Sequence, residues 1–325
     1  MSSMNVIDRE HIQTPYGIFG DVSGYEVYPD GNLRSVRLFG QNVLLTHAGE
    51  LIPAYRETTR RKYKPSVTFY AGGSVKAVAL DEISDVITPI GEFPAELVTF
   101  YESGEIRRVF PTDARLDAFG GEEEEGELLI PMVFDLGFVS FRAKISGISF
   151  YRSGAIESIT LFPGEEIEVP TPVGVIPVRI GISLYESGAL RSLEPARAFP
   201  LATPIGKIFA YDAAAVGICA DDNALAFRES GEILSVRTTE NIIFAQNKAG
   251  VARWYKPLEA VLPEDEAREI RRALTVRFED AAVMFNEEDQ AYSIEDSYFT
   301  ITKNTTGKIG CSPSDCASCS LCSKS

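Results

Sequence analysis

The chain has 325 residues, 45% of them hydrophobic, and carries 31 Lys and Arg against 47 Asp and Glu, a net charge of −16. This charge repels phosphate backbones and anionic head groups, so we expect neither nucleic acid nor an anionic membrane as a partner. No apolar run approaches the roughly 20 residues of a membrane span, and the first residues lack the basic and apolar segments of a secretory signal. The expected protein is cytoplasmic, with no transmembrane segment.

Six copies of one short pattern run through most of the chain. They read VYPDGNLRSV, FYAGGSVKAV, FYESGEIRRV, FYRSGAIESI, LYESGALRSL and FRESGEILSV. Glycine adopts positive φ without steric cost, so each copy predicts a β-hairpin that turns at its glycine. The turn glycines are Gly31, Gly73, Gly104, Gly154, Gly188 and Gly231. Apolar residues two and five positions after each glycine break strict alternation, which predicts a β-bulge or a twisted two-sided strand.

A second marker lies between several of these copies. TPYG, TPIG, TPVG and TPIG end at Gly17, Gly91, Gly174 and Gly206, with THAG (ending at Gly49) and FDLG (ending at Gly137) as looser relatives. Proline presets φ and glycine allows a reversal, so the marker predicts a second turn or a strand start. One repeat is then a Pro-Gly turn, a strand, a Ser-Gly turn and another strand.

The core of the repeat resembles the MORN class of repeats and the related bacterial antitoxin-like hairpin repeats, over about residues 14–240. The resemblance implies an extended β-sheet scaffold that binds proteins or lipids, and the acidic charge disfavours lipids. In the last copy Arg228 replaces the tyrosine, as expected of a terminal cap. The repeat tyrosines are expected to stack along one face as an aromatic ladder, with ligand stacking as the alternative: Tyr28, Tyr70, Tyr101, Tyr151 and Tyr185.

Other segments interrupt or follow the repeats. The acidic run at 120–127 predicts a solvated loop, with a divalent-cation site as the alternative. The hairpin that begins at Asn241 contains the only tryptophan, Trp254, which we expect in the core. The charge order and apolar spacing of LPEDEAREIRRAL predict a short helix over 262–274.

Four segments follow from these patterns. Hairpin repeats occupy 1–118, further hairpin repeats occupy 128–256, a helix-containing cap occupies 257–303, and a Cys-rich tail occupies 304–325. The interval between Gly104 and Gly154 is the best candidate for a break between two arrays. The predicted fold is mainly β, an elongated antiparallel meander of six or more β-hairpin repeats with a short C-terminal helix and a Cys-rich tail.

The tail holds four of the five cysteines: Cys311, Cys316, Cys319 and Cys322. The cytosol keeps thiols reduced, so this cluster favours a metal over disulfides. Four thiolates complete a tetrahedral zinc site or an iron–sulfur cluster. A tail that holds no cofactor is the remaining alternative.

The sequence favours a non-enzymatic protein. Neither histidine, His11 or His47, lies in a catalytic motif, and no phosphate-cradling loop or nucleophile elbow is found. The predicted function is a β-repeat scaffold or protein-binding module with a candidate C-terminal metal site. The alternative is an iron–sulfur or other metal-carrying redox protein that uses the four-Cys tail.

Overall fold

The regular structure of the chain is almost entirely β-strand. The computed structural model describes residues 11–58, 64–113, 122–215, 223–262, 265–286 and 290–305, with the backbone alone for 122–123, 259–262 and 265–271. These residues fall into two compact units. Unit 1 comprises the described residues up to Ala196, Asn223 and Phe227–Glu232. Unit 2 comprises Arg197–Ala215, Ala224–Ala226 and the described residues from Ile233 onward.

Unit 1 contains one helix and seventeen strands among its described residues. They are β1 His11–Thr14, β2 Gly17–Gly20, β3 Val22–Val27, β4 Leu33–Leu38, β5 Leu44–Thr46, β6 Gly49–Leu51, β7 Val67–Phe69, β8 Val75–Thr88, β9 Gly91–Phe100, β10 Ile106–Phe110, α1 Glu122–Leu128, β11 Met132–Asp135, β12 Ser140–Ala143, β13 Ile145–Phe150, β14 Ile156–Leu161, β15 Ile167–Thr171, β16 Gly174–Leu184 and β17 Leu190–Pro195. Ten of these strands pair in the order β17-β16-β14-β13-β10-β9-β8-β7-β4-β3. The predicted antiparallel hairpin sheet is therefore confirmed.

Each predicted turn glycine lies in a hairpin, called here a repeat hairpin. The six glycines have φ between +86° and +104°, which is why glycine is required there. The Gly104 N–H donates to the Tyr101 carbonyl at 2.9 Å, and the same bond recurs in the other five copies. After the turn, Phe100 pairs with Ile106 but Thr99 pairs with Arg108, so one residue bulges out. The predicted bulge is confirmed, and it explains the odd spacing of the apolar positions.

The residue five positions after each turn glycine forms the centre of the core. All six are fully buried: Val36, Val78, Val109, Ile159, Leu193 and Val236. In unit 1 the cross-strand register joins them and their partners into one aliphatic ladder, which runs Val36, Val67, Val78, Val98, Val109, Ile148, Ile159, Ile182 and Leu193. Cross-strand pairs of β-branched residues stabilise sheets, and burial of each such side chain contributes about 1.5–3 kcal/mol. The ladder ends at Tyr25 on the outermost strand, where 44% of the residue is exposed.

The second marker forms two-residue turns, called here Thr-Gly hairpins. Thr88 pairs with Gly91, and the Thr88 hydroxyl donates to the Gly91 carbonyl at 2.6 Å while it accepts the Ile90 N–H. The THAG segment forms the same turn between Thr46 and Gly49. The threonine hydroxyl forms hydrogen bonds that backbone groups would otherwise have to form in the turn. The threonine of the marker, and not its proline alone, therefore helps to specify this turn.

Two expectations about the middle of the chain change. The acidic run does not form a simple loop, because Glu122–Leu128 is helical and Glu125 is buried. The Lys144 ammonium donates to the Gly126 carbonyl at 2.7 Å and thereby holds this helix against the sheet. The break proposed between Gly104 and Gly154 does not interrupt the sheet, because β10 pairs directly with β13.

Unit 2 is also built from strands. The remaining strands of the chain are β18 Phe199–Thr203, β19 Gly206–Ala210, β20 Leu225–Phe227, β21 Ile233–Thr238, β22 Asn241–Gln246, β23 Ala252–Tyr255, β24 Leu258–Leu262, β25 Asp265–Arg272, β26 Leu274–Phe278, β27 Ala282–Phe285, β28 Ala291–Ser293 and β29 Tyr298–Lys303. Within unit 2, β28-β27-β26-β21 pair in that order, as do β23-β22-β29, and β18 with β19. The backbone of β25 pairs with that of β24. The helix predicted over 262–274 stays a prediction, because Pro263 and Glu264 lie outside the described residues.

Trp254 is not in the core, contrary to the sequence prediction. It is 57% exposed, and the neighbouring Tyr255 is buried in its place. The Tyr255 ring stacks on Phe285 with centroids 4.3 Å apart, and its hydroxyl lies 3.0 Å from that of Tyr292. Successive strand residues point to opposite faces, so burial of Tyr255 places Trp254 on the solvent side.

Candidate functional site

The five repeat tyrosines join each hairpin to the next one. Each hydroxyl donates to a backbone carbonyl in the following copy. The acceptor residue comes directly before the tyrosine of that copy or, in the last copy, directly before Arg228. The bonds are Tyr28 to Phe69 (2.8 Å), Tyr70 to Phe100 (2.9 Å), Tyr101 to Phe150 (2.9 Å), Tyr151 to Leu184 (2.8 Å) and Tyr185 to Phe227 (2.8 Å). We call this series the tyrosine clasps. Arg228 has no hydroxyl with which to continue it.

The clasps correct the expected stacking of these rings. Consecutive tyrosines lie at turns two strands apart, about 9.6 Å at 4.8 Å per strand, whereas stacked rings need centroids about 4.5–7 Å apart. Among the described residues, no ring contact joins two of the five tyrosines. They form a ladder of hydrogen bonds instead of a ladder of stacked rings.

Cations from the bulges lie against three of the tyrosine rings. Each comes from the same hairpin as its ring: Arg34 over Tyr28 (5.9 Å to the centroid), Lys76 over Tyr70 (5.6 Å) and Arg107 over Tyr101 (5.7 Å). Cation–π contacts of this kind contribute about 0.5–1 kcal/mol at exposed sites. The cations occupy ring surface that a stacked ligand would need, so the structure favours a packing role for these tyrosines.

Thr-Gly hairpins pack on the turns of later repeat hairpins in unit 1. His47 Nδ1 lies 3.0 Å from the Gly104 carbonyl oxygen. A Cβ added at Gly104 would lie 3.1 Å from the His47 ring, and one added at Gly154 would lie 3.1 Å from Pro89. Glycine is therefore required at these two turns for two reasons, the positive φ and the close contact with the neighbouring hairpin. His47 is exposed at the Thr46–Gly49 turn, and its ring packs on the turn of the repeat hairpin at Gly104.

A groove of about 440 Å³ lies beside His47. Its lining includes Tyr16, His47, Ser74, Phe100 and Ser103. The Tyr16 hydroxyl accepts the Val75 N–H at 3.1 Å. Within the described part of the chain, no three His, Cys, Asp or Glu side chains lie together so as to hold a metal ion. The groove has the size of a small-molecule site. The hydroxyl of Ser103 in its lining donates to the Glu105 carboxylate of the same turn.

Buried carboxylates are paired with cations rather than gathered in a site. Asp81 accepts from the Arg56 side chain and from the backbone N–H groups of Tyr55 and Arg56. Burial alone raises the pKa of the Asp81 carboxyl, but its hydrogen bonds and ion pair with Arg56 bring the pKa below its usual value. In the other unit, Asp212 lies 3.2 Å from Arg237. Each pair ties a segment outside the strands to a strand.

Unit 2 exposes an aromatic face on the sheet of β22, β23 and β29. Phe244 pairs with Trp254 in the strand register, and their ring centroids are 5.0 Å apart. Gln246 pairs with Tyr298, two residues along, so Tyr298 lies on the same side of the sheet and is 64% exposed. We call the side formed by Phe244, Trp254 and Tyr298 the tryptophan face. Its strand β23 lies at one edge of this sheet and has one strand neighbour within the described residues.

The hairpin that carries Trp254 is basic in an acidic chain. Residues 247–256 contain Lys248, Arg253 and Lys256 but no Asp or Glu. All three cations are exposed, and Lys248 pairs with Asp296. Aromatic and arginine side chains are enriched at protein interfaces, so this combination has the character of a protein-binding surface. Sequence analysis missed it because the same tryptophan also suits a core position.

The four tail cysteines, Cys311, Cys316, Cys319 and Cys322, lie outside the described residues, as does Cys219. No described helix has the length and apolar character needed to cross a membrane. No model of a known protein family matches the chain, and a search of curated proteins finds no match.

Proposed function

We propose that the protein is a cytoplasmic, non-enzymatic β-repeat scaffold that binds a protein partner through the tryptophan face. The exposed Trp254 on the basic edge strand β23 carries this proposal. The recurring geometry of the repeat hairpins serves packing, through buried ladder positions, clasps and turn contacts, which favours a structural role for them. The buried carboxylates Asp81 and Asp212 lie in ion pairs, which favours binding over catalysis.

The test compares binding by the wild type with two alanine variants. Trp254→Ala removes the centre of the tryptophan face, and Phe39→Ala removes an equally exposed aromatic side chain from unit 1. Proteins that the tagged wild type enriches from its own cell would be identified, purified and titrated by calorimetry. We expect Trp254→Ala to weaken binding at least about tenfold, or 1.4 kcal/mol, as for an interface hot spot. Equal binding by all three chains would exclude the tryptophan face.

A metal-binding role for the tail is the second candidate. The spacing of Cys311, Cys316, Cys319 and Cys322 supports it, because thiolates three to five residues apart can meet at one soft metal ion. An iron–sulfur cluster would support redox function, whereas zinc would support a structural or docking role. The test is the metal content and visible absorption of protein purified without oxygen, beside a variant with the last three cysteines changed to serine. Protein without stoichiometric metal would exclude this role.

A further inference from the structure

A second exposed edge complements the basic hairpin, and it belongs to unit 1. Strand β11 pairs with β12 in a two-stranded sheet, so one of its edges has no strand neighbour within the described residues. Val133 on β11 is 74% exposed, and Ile130 just before it is 76% exposed. These are the two most exposed large apolar side chains among the described residues. Solvent-facing apolar side chains at an open strand edge favour pairing with another strand.

The chain segment that contains β11 carries the charge opposite to that of the segment that contains β23, while β12 places the exposed Arg142 opposite Val133. Residues 122–135 contain six acidic side chains and no Lys or Arg, whereas residues 247–256 contain three cations and no acid. Glu124, Glu127 and Asp135 are exposed. Opposite charges on two surfaces attract during encounter and fix the pairing of one surface with the other. Each surface also carries exposed apolar groups, with Ile130 and Val133 on one side and Trp254 on the other.

We propose that the protein associates with itself head to tail, with the acidic edge β11 of one copy added to the basic edge β23 of the next. The inference rests on the proposed function, because it names a second copy of the chain as the protein that the tryptophan face binds. Both strands are four residues long, so one copy can extend the sheet of the other by strand addition. The two surfaces differ, so the contact is heterologous and repeats from copy to copy.

The first measurement is the sedimentation of the wild-type chain over a range of concentrations and salt. Raising the ionic strength from about 0.1 M to about 1 M shortens the screening length from roughly 10 Å to roughly 3 Å. We expect oligomers whose dissociation constant rises at least about tenfold over that range, because charge complementarity contributes to the contact. Trp254 is the only tryptophan, so its emission should move to shorter wavelength as oligomers form. Monomers at every concentration and salt would overturn the proposal.

Charge reversal tests which surfaces meet. One variant carries Arg253→Glu and Lys256→Glu, and the other carries Glu124→Lys and Glu127→Lys. Over the exposed side chains named above, the changes turn the acidic surface from −3 to +1 and the basic surface from +3 to −1. Each variant alone therefore has two surfaces of like charge and should be monomeric. Their mixture again presents opposite charges at every contact and should associate, which a variant that had failed to fold could not do. A control that reverses the exposed Arg34 and Arg197 should associate like the wild type.

The outcomes separate this inference from the proposed function. A mixture of the two variants that stays monomeric, or a control that is as defective as they are, would overturn the pairing of β11 with β23. A wild type that is monomeric but loses a separate partner on Trp254→Ala would overturn self-association and leave the proposed function standing. Association that resists both charge reversals would place the contact elsewhere on the chain and refute the proposal.

Discussion

The clasp at Tyr101 offers a direct test of how the repeat hairpins are held together. Tyr101→Phe removes the hydroxyl that donates to the Phe150 carbonyl at 2.9 Å, and it leaves the ring in contact with Arg107 and Arg152. A typical intramolecular hydrogen bond contributes about 0.5–1.5 kcal/mol net. We therefore expect Tyr101→Phe to lower the free energy of unfolding by about 1 kcal/mol, with an unchanged dependence on urea.

The assay is urea unfolding followed by circular dichroism, with Tyr298→Phe as the matched control. The Tyr298 side chain is largely exposed, so loss of its hydroxyl should change the free energy of unfolding by less than about 0.5 kcal/mol. Amide hydrogen exchange gives a local readout, because the loss of protection should centre on β13 and β14, which contain and follow the acceptor. Equal effects of the two substitutions would refute the view that the clasps join the hairpins.

The same clasp has a pH dependence with a definite sign. Burial, with the charge of Glu157, raises the pKa of Tyr101 above its usual value. A group whose pKa is raised on folding stabilises the folded state below its unfolded pKa, roughly 10 for tyrosine, and loses that contribution as the pH rises through the folded pKa. The difference in stability between the wild type and Tyr101→Phe should therefore shrink in strong alkali. A difference that grew there would contradict the donor role of the hydroxyl.

Three further substitutions test other parts of the architecture. The pKa of Asp81 is lowered on folding, so its pairing with Arg56 stabilises the protein above the unfolded pKa of roughly 3.9, and this contribution is lost as the pH falls through the folded pKa. The free energy of unfolding measured against pH should therefore fall less steeply in acid for Asp81→Asn than for the wild type. An unchanged slope would contradict this. A Cβ at Gly181 would lie 2.1 Å from the Ile159 carbonyl oxygen, whereas one at Gly188 meets nothing within 4 Å. Thermal unfolding should therefore show a larger loss of stability for Gly181→Ala than for Gly188→Ala. The loss for Gly188→Ala is about 1–2 kcal/mol, which its positive φ alone explains. Ile159→Ala should lower the free energy of unfolding in urea by about 2–5 kcal/mol, because the side chain is fully buried in the aliphatic ladder. A loss below about 1 kcal/mol would show that the ladder is not part of the core.

Local chemistry accounts for the parts of the fold that the sequence predicts well. The turn glycines, the bulges after them and the Thr-Gly hairpins depend on residues within about ten positions of one another. Gly104, for example, needs only its own φ and the carbonyl of Tyr101 to define its turn. The glycine turn recurs six times, and this recurrence makes the pattern recognisable in the sequence.

The parts that sequence analysis missed depend on partners far along the chain. The acceptor of the Tyr101 hydroxyl lies 49 residues away, and the pattern does not reveal that two strands separate the rings. Trp254 and Tyr255 are both suited to a core, and only the pairing of β23 decides which one is buried. The tryptophan face was hidden for the same reason, because its identity depends on which side of a strand faces solvent.

The clasps give the chain a built-in order of assembly. In every pair the tyrosine comes first and its acceptor follows 30 to 49 residues later. During synthesis from the N-terminus, each hairpin therefore presents its hydroxyl before the carbonyl that will receive it has been made. Each completed hairpin supplies the acceptor for the hydroxyl of the hairpin before it, and the hairpin of Arg228 ends the series because it has no hydroxyl to offer.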